Sequence, residues 1–205
     1  MTAIDEGVIK YSCEFIPSES VAPETISSLM QWRDFLHALG LIGAYENGIG
    51  FGNISIRIAN SMQFIISGTQ TGHIAKLAPE YYTIVTNFEI EKNHLTCCGP
   101  IRASSESLTH AAIYSQQPHI NAIIHVHHPQ LWQNLLGRVP TTDPDVPYGT
   151  PEMAKEIFRL LAEENLSKQK ILVMSGHQDG CLTFGKDLNE AGKILIRYYY
   201  QLEDG

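Results

Sequence analysis

The chain has 205 residues, 43% of them hydrophobic and 18% charged, with a formal net charge of −8. That length suits one compact domain, and no apolar run approaches the ~20 residues of a membrane span. Lys and Arg are scattered without a basic stripe, which speaks against nucleic acid as a partner, and an acidic surface still allows an anionic small substrate through local backbone N–H groups.

Met1 to Lys10 carries Asp5 and Glu6 and no apolar h-region, so a secretory signal is not expected and the protein is read as cytoplasmic. Val8 to Phe15 alternates loosely and reads as a strand, and Pro17 to Pro23 as a polar connector. Ile26, Leu29, Met30, Phe35, Leu36 and Leu39 fall at helical spacing, so Glu24 to Leu39 is predicted helical, stopped by Gly40. A glycine-rich segment, Gly43 to Gly52, leads through Asn53 into Ile54, Ile56 and Ile58, which alternate with Ser55 and Arg57. That is the pattern of a strand with one buried face. Gln63 to Ser67 is a second strand and Thr69 to Gly72 a turn. Tyr82 to Phe88 and Leu95 to Cys98 flank a polar hairpin tip at Glu89 to His94.

Ser104 to Gln116 is predicted helical, with Ser104 or Ser105 as N-cap, and stops before Pro118. Ile120 to His127 is short and apolar enough for a buried strand, and Pro129 to Leu136 for a short helix. Thr150 to Glu164 opens with a Thr cap and Pro151 at the first helical position. Ile171 to Met174 and Cys181 to Phe184 are strands around a Gly176 to Gly180 turn, and Leu188 to Leu202 is a closing helix. The mixture predicts an α/β sandwich with a mixed, largely antiparallel sheet, not a doubly wound parallel one. Cys13, Cys97, Cys98 and Cys181 contain no C-x-x-C pair, the pattern of reduced thiols.

The sharpest local signal is His125-Val126-His127 at the end of an apolar run. Side chains two apart on a strand share a face, so both imidazoles aim at one point and supply half of a tetrahedral metal site. An H-x-H on a surface strand is otherwise simply solvated. Glu106 and His110 lie four apart on a helix and share a face, as a ligand with its supporting partner or as an ordinary exposed pair. His177 follows a buried strand in Met174-Ser175-Gly176-His177-Gln178-Asp179-Gly180, either as a functional loop residue or as part of a polar turn. His37, His73, His94 and His119 read as surface residues.

Taken together, these segments resemble the class II aldolase/adducin family. Gly52-Asn53-Ile54-Ser55-Ile56-Arg57, Thr69-Gln70-Thr71-Gly72, Ser104-Ser105-Glu106 with His110, His125-Val126-His127, Pro147-Tyr148-Gly149-Thr150 and Gly176-His177 occur in the family's order. They span roughly residues 25 to 202. The resemblance implies one α/β/α domain over residues 1–205, with 1–22 as an N-terminal extension lacking a family counterpart. It implies a divalent metal, Zn²⁺ foremost, held by Glu106, His125, His127 and His177, with Glu106 also the general acid/base. It implies that Asn53, Thr71, Gly72, Ser104 and Ser105 bind a substrate phosphate, the serines at a helix N-terminus whose N–H groups favour an anion. Ser67-Gly68 is the competing match for the turn, with Thr71-Gly72 preferred.

The activity implied is cleavage, by a lyase, of a small sugar phosphate or hydroxy-carbonyl through an enediolate. Epimerisation or dehydration at the same site is the alternative, as is a non-catalytic adducin-like assembly domain. The implied assembly is a homotetramer. The sequence departs from the family's aldolases between His128 and Tyr148, where a segment that carries a catalytic tyrosine is cut short. Tyr148 is read there as a packing residue, and Asp179 as a turn residue.

Overall fold

The computed structural model describes residues 9–59 and 61–202. The first half contains β1 (Ser12–Pro17), α1 (Ser27–Ala38), β2 (Gly43–Ala44), β3 (Gly50–Phe51), β4 (Asn53–Arg57), β5 (Phe64–Ser67), β6 (Tyr82–Glu89) and β7 (His94–Gly99). The second half contains α2 (Ser107–Gln116), β8 (Ala122–His127), α3 (Pro129–Leu135), α4 (Pro151–Glu163), α5 (Leu166–Gln169), β9 (Ile171–Val173), β10 (Gly180–Gly185) and α6 (Leu188–Tyr200). Eight strands form one sheet in the order β1-β7-β6-β5-β4-β8-β10-β9. Its pairs are antiparallel except β1 on β7. The expected α/β sandwich with a largely antiparallel sheet is what the chain forms. β2 and β3 pair separately as a short ribbon.

Helices cover both faces of the sheet, and the alternation along β8 shows how. Ile123 packs in one core with Tyr114 of α2 and Ile157 of α4. Ile124 and Val126 pack in the other with Leu29 of α1 and Leu195 of α6. His125 and His127 have the parity of Ile123 and therefore face the α2 side. The central strands are consequently buried on both faces. The alternation along β4 predicts one buried face, yet Ile54 and Ser55 are both fully buried, because α1 lies on one side and α2 on the other.

Two buried arginines fix the frame of the site. Arg57, near the end of β4, donates to the carbonyls of Ile120, Ser61, Tyr114 and Gln117. Two of these acceptors are at the C-terminal end of α2, where free carbonyls and the negative end of the helix dipole favour a cation. Arg33, 1% exposed on α1, donates to the carbonyls of Thr71, Gly72, Ile74 and Ala75 and braces the loop after β5.

Three local expectations change. The first strand begins at Ser12, and Val8 lies outside the described residues. α2 begins at Ser107, with Glu106 in the capping position and no side-chain cap. Ser104 instead offers its carbonyl to the N–H and hydroxyl of Ser107. The strand from Ile54 stops at Arg57, so Ile58 lies beyond it. All four cysteines are free thiols, Cys13 Sγ lying 3.4 Å from Cys97 Sγ. Among the described residues no helix is long and apolar enough to cross a membrane.

Candidate active site

His125 and His127 leave β8 on the α2 side, and His177 enters from the turn between β9 and β10. The β8–β10 register sets Gly180 opposite His127, and a Cβ at Gly180 would come 2.8 Å from His177 Cδ2 and 3.3 Å from His125 Cε1. Glycine therefore allows the turn to close on the imidazoles. Asp179, at φ 65°, makes that turn, and its carbonyl accepts from the His128 N–H. His127 Nε2 lies 3.0 Å from His125 Nε2 and 3.1 Å from His177 Nε2. The three histidines form a buried group able to hold a metal ion.

Each ring is oriented from behind. His125 Nδ1 lies 3.2 Å from the Cys181 carbonyl, which accepts, so the neutral ring presents a bare Nε2 lone pair to the cluster. His127 Nδ1 is 2.9 Å from the Tyr45 hydroxyl, and Phe51 packs against the same ring at 5.5 Å. His177 stacks on Tyr148 with ring centroids 4.3 Å apart. Burial pushes the His125 pKa down to about 4, with the Cys181 carbonyl opposing. Burial, then the neighbouring imidazoles, hold His127 and His177 well below the usual histidine range. All three are neutral at pH 7, the state a metal ligand needs.

Glu106 completes the cluster. It is 1% exposed, and its Oε1 lies 3.7 Å from His177 Nε2. Thr109 donates its hydroxyl to Oε2 at 2.9 Å, whereas Oε1 is buried with no hydrogen-bond partner among the described residues. Burial pushes this carboxyl up to about 7, opposed by the Thr109 hydrogen bond and then by the charge of Lys10. Three imidazole nitrogens and an orphaned carboxylate oxygen suit a divalent cation. Two nitrogens on one tetrahedral zinc ion stand about 3.3 Å apart, close to the spacing found here.

The residues expected to bind phosphate are brought near the cluster unevenly. Asn53 sits opposite His125 across β4 and β8, and its Oδ1 is buried without a partner among the described residues. Ser104 and Ser105 are buried directly before Glu106, and Tyr11 donates its hydroxyl to the carbonyls of Ala103 and Ser104. Ser67 and Gly68 adjoin both groups: Ser67 Oγ accepts from Ile54 N, and Gly68 bridges to Ala103. Thr71 turns its hydroxyl back to the Gly68 carbonyl. Gly72 packs its backbone on Gly43 and Gly50, where a Cβ would collide.

Other features were not evident from local patterns. His110 is not the exposed member of an i,i+4 pair. It is fully buried, Nδ1 lies 2.8 Å from Ser55 Oγ, and that oxygen is also 2.8 Å from the Tyr114 hydroxyl. Tyr45 is the partner of His127, and only its place in the glycine-rich segment hinted at a role. Lys10 Nζ lies 3.9 Å from the centroid of the Tyr148 ring. His73 and His119 are exposed, as expected, while His37 and His94 are half-buried.

Comparison with known structures places the architecture. An L-fuculose 1-phosphate aldolase is similar with a TM-score of 0.66 and 17% identity, covering 89% of this chain and 85% of that one. The L-fuculose-1-phosphate aldolase from Thermus thermophilus is similar with a TM-score of 0.57 and 22% identity, covering 90% and 98%. A sugar-phosphate aldolase from Thermotoga maritima is similar with a TM-score of 0.63 and 18% identity, covering 89% and 96%. No curated protein matches by sequence. These likenesses show a shared fold, while the family profile described as "Class II Aldolase and Adducin N-terminal domain" matches residues 46–201, from just after Tyr45 through the end of α6. The protein therefore belongs to the class II aldolase and adducin N-terminal domain family.

Proposed function

We propose that this chain is a metal-dependent lyase that cleaves a small sugar phosphate or related hydroxy-carbonyl by aldol-type chemistry. The observation carrying this reading is the clustering of three buried imidazole Nε2 atoms beside the orphaned Oε1 of Glu106. Glu106, His125, His127 and His177 would hold the ion, and a donor set of three nitrogens and one oxygen favours Zn²⁺. When bound, a divalent ion supplies Lewis-acid polarisation of a substrate carbonyl.

The chain's own residues supply the proton transfer and the positioning. Glu106 would act as the general acid/base, accepting and returning a proton beside the substrate carbonyl. It would take that proton from the carbon or hydroxyl beside the carbonyl. Thr109 holds Oε2 and so leaves Oε1 turned to the reacting atoms. Asn53, Ser104 and Ser105 would form the anion-binding rim. Of the two turn registers we take Ser67-Gly68 as the part nearer this rim, because it is bonded to the strand of Asn53 and to Ala103. Thr71 and Gly72 would brace it through the Thr71 hydroxyl. The names of the fold relatives as fuculose-phosphate and sugar-phosphate aldolases support a phosphorylated substrate. The four retained donor residues favour catalysis over a purely structural domain.

The test is a screen of sugar phosphates for retro-aldol, epimerase and dehydratase turnover, run on zinc-loaded and chelated protein. Cleavage of at least one sugar phosphate that needs both zinc and Glu106 is expected. Full activity after chelation would sink the reading.

A further inference from the structure

The histidines of the cluster are supported from behind by different parts of the fold. His125 is met by the Cys181 carbonyl, from the neighbouring strand of the same sheet. His127 ends β8, and a side chain behind it comes from the separate β2–β3 ribbon. There Gly43 pairs with Phe51 and Ala44 with Gly50. Tyr45 N donates to the Ile49 carbonyl at 2.9 Å and Gly48 N to the Tyr45 carbonyl at 2.8 Å, which closes the turn between the two strands. The ribbon is seated where no side chain fits. A Cβ at Gly72 would collide with the Gly43 carbonyl, and one at Gly52 would stand 3.1 Å from the His125 carbonyl oxygen. His127 N donates to the Leu41 carbonyl at 3.1 Å, just ahead of the ribbon. From this seat Tyr45 and Phe51, with ring centroids 4.7 Å apart, both reach the His127 ring. Phe51 packs on it at 5.5 Å, and the Tyr45 hydroxyl lies 2.9 Å from its Nδ1.

We propose that Tyr45 is a positioning residue for the metal: its hydroxyl oxygen accepts the Nδ1 proton of His127 and so commits Nε2 to the ion. The inference rests on the metal reading of the cluster. A neutral imidazole has one N–H and one lone pair, so a proton held at Nδ1 leaves the lone pair on Nε2. Nε2 is the atom 3.0 Å from His125 Nε2 and 3.1 Å from His177 Nε2. A partner behind a ligating imidazole also fixes the ring plane and raises the basicity of the ligand atom. Tyr45 stands immediately before residues 46–201, which the family profile matches, so no matched motif assigns it this task. The Gln178 backbone also hydrogen-bonds His127. If that bond alone set the ring, losing the Tyr45 hydroxyl would change nothing at the metal. A packing role for Tyr45, through its ring on Phe51, likewise predicts that phenylalanine replaces it without loss.

Tyr45→Phe removes the hydroxyl and keeps the ring beside Phe51. Metal-stripped wild-type and variant proteins are titrated with Zn²⁺ against a chromophoric chelator. The zinc-loaded forms, with isotope-labelled histidine, are read by NMR for the Nδ1 proton of His127. Zinc affinity is expected to fall by about 10- to 100-fold in the variant, with an unchanged circular dichroism spectrum and faster exchange of the Nδ1 proton with water. Equal zinc affinity in the two proteins would overturn the assignment, as would a loss of affinity with the Nδ1 proton unmoved. In zinc-loaded wild type the Nδ1 proton should be present and close to the Tyr45 ring, and its absence would overturn the assignment even if the variant failed to fold. Wild-type protein that takes up no zinc would sink the metal reading and Tyr45 with it, whereas equal affinities with zinc bound would remove Tyr45 alone.

Discussion

Glu106→Gln separates the cost of burying a carboxylate from its use. The Glu106 carboxyl has its pKa raised from 4.5 to about 7, chiefly by burial. The folded value lies above the unfolded one, so the favourable contribution of the protonated form is complete below pH 4.5 and is lost as pH rises through 7. At about 1.4 kcal/mol per pKa unit, metal-free wild-type protein should lose about 3 kcal/mol across that window from this group. Glutamine does not titrate. Its carbonyl can accept from the Thr109 hydroxyl, and its amide can donate toward His177 Nε2, which Oε1 approaches to 3.7 Å. The histidine contributions are common to both proteins and largely cancel. Urea denaturation in the presence of a chelator should therefore show the variant gaining on wild type by about 2 to 3 kcal/mol between pH 5 and pH 8. With zinc bound the order should reverse, because only the wild type offers a charged fourth ligand, and turnover in the variant should fall by about 10²–10⁴. A stability gap that is the same at pH 5 and pH 8 would refute the claim that burial controls this carboxyl.

Three further outcomes follow from the same contacts. Elemental analysis should find about one zinc per chain in wild type and little in His127→Ala, since His127 Nε2 is the atom facing both other imidazoles; equal zinc in the two would count against the ligand set. Thr109→Val removes the hydroxyl that donates to Glu106 Oε2, so the acidic limb of the pH–rate profile should move up by about 0.5 to 1 unit; an unmoved limb would remove Glu106 from the rate-determining proton transfer. Arg33→Met leaves the carbonyls of Thr71, Gly72, Ile74 and Ala75 without their guanidinium donor. It should cost about 3 kcal/mol or more by urea unfolding, and a change below about 1 kcal/mol would mean the loop is held by other means.

What could be read from the sequence was set by short-range periodicity. Alternation at His125 and His127 predicts a shared face whatever the rest of the chain does, and the structure adds only which face and what stands opposite. The Thr150 cap and Pro151 start α4 because both act within one turn, and Thr150 Oγ1 accepts from Met153 N as that chemistry requires. Where long-range partners compete, local rules lose. Ser104 has the right composition for an N-cap, but its hydroxyl accepts from the Glu106 N–H, its carbonyl accepts from Tyr11, 93 residues away in sequence, and the helix starts at Ser107. His110 shares a helical face with Glu106, but full burial demands a partner, which Ser55 supplies from β4. Arg33 reads as one polar residue on an amphipathic helix, since nothing near it in sequence announces the four carbonyls it serves. The first strand is the clearest case. Its alternation is visible, but parallel pairing to β7 at the sheet edge is decided by register with residues 94–99. That register brings Lys10 over the Tyr148 ring, which stacks on His177, so a segment outside the matched residues 46–201 reaches the edge of the site.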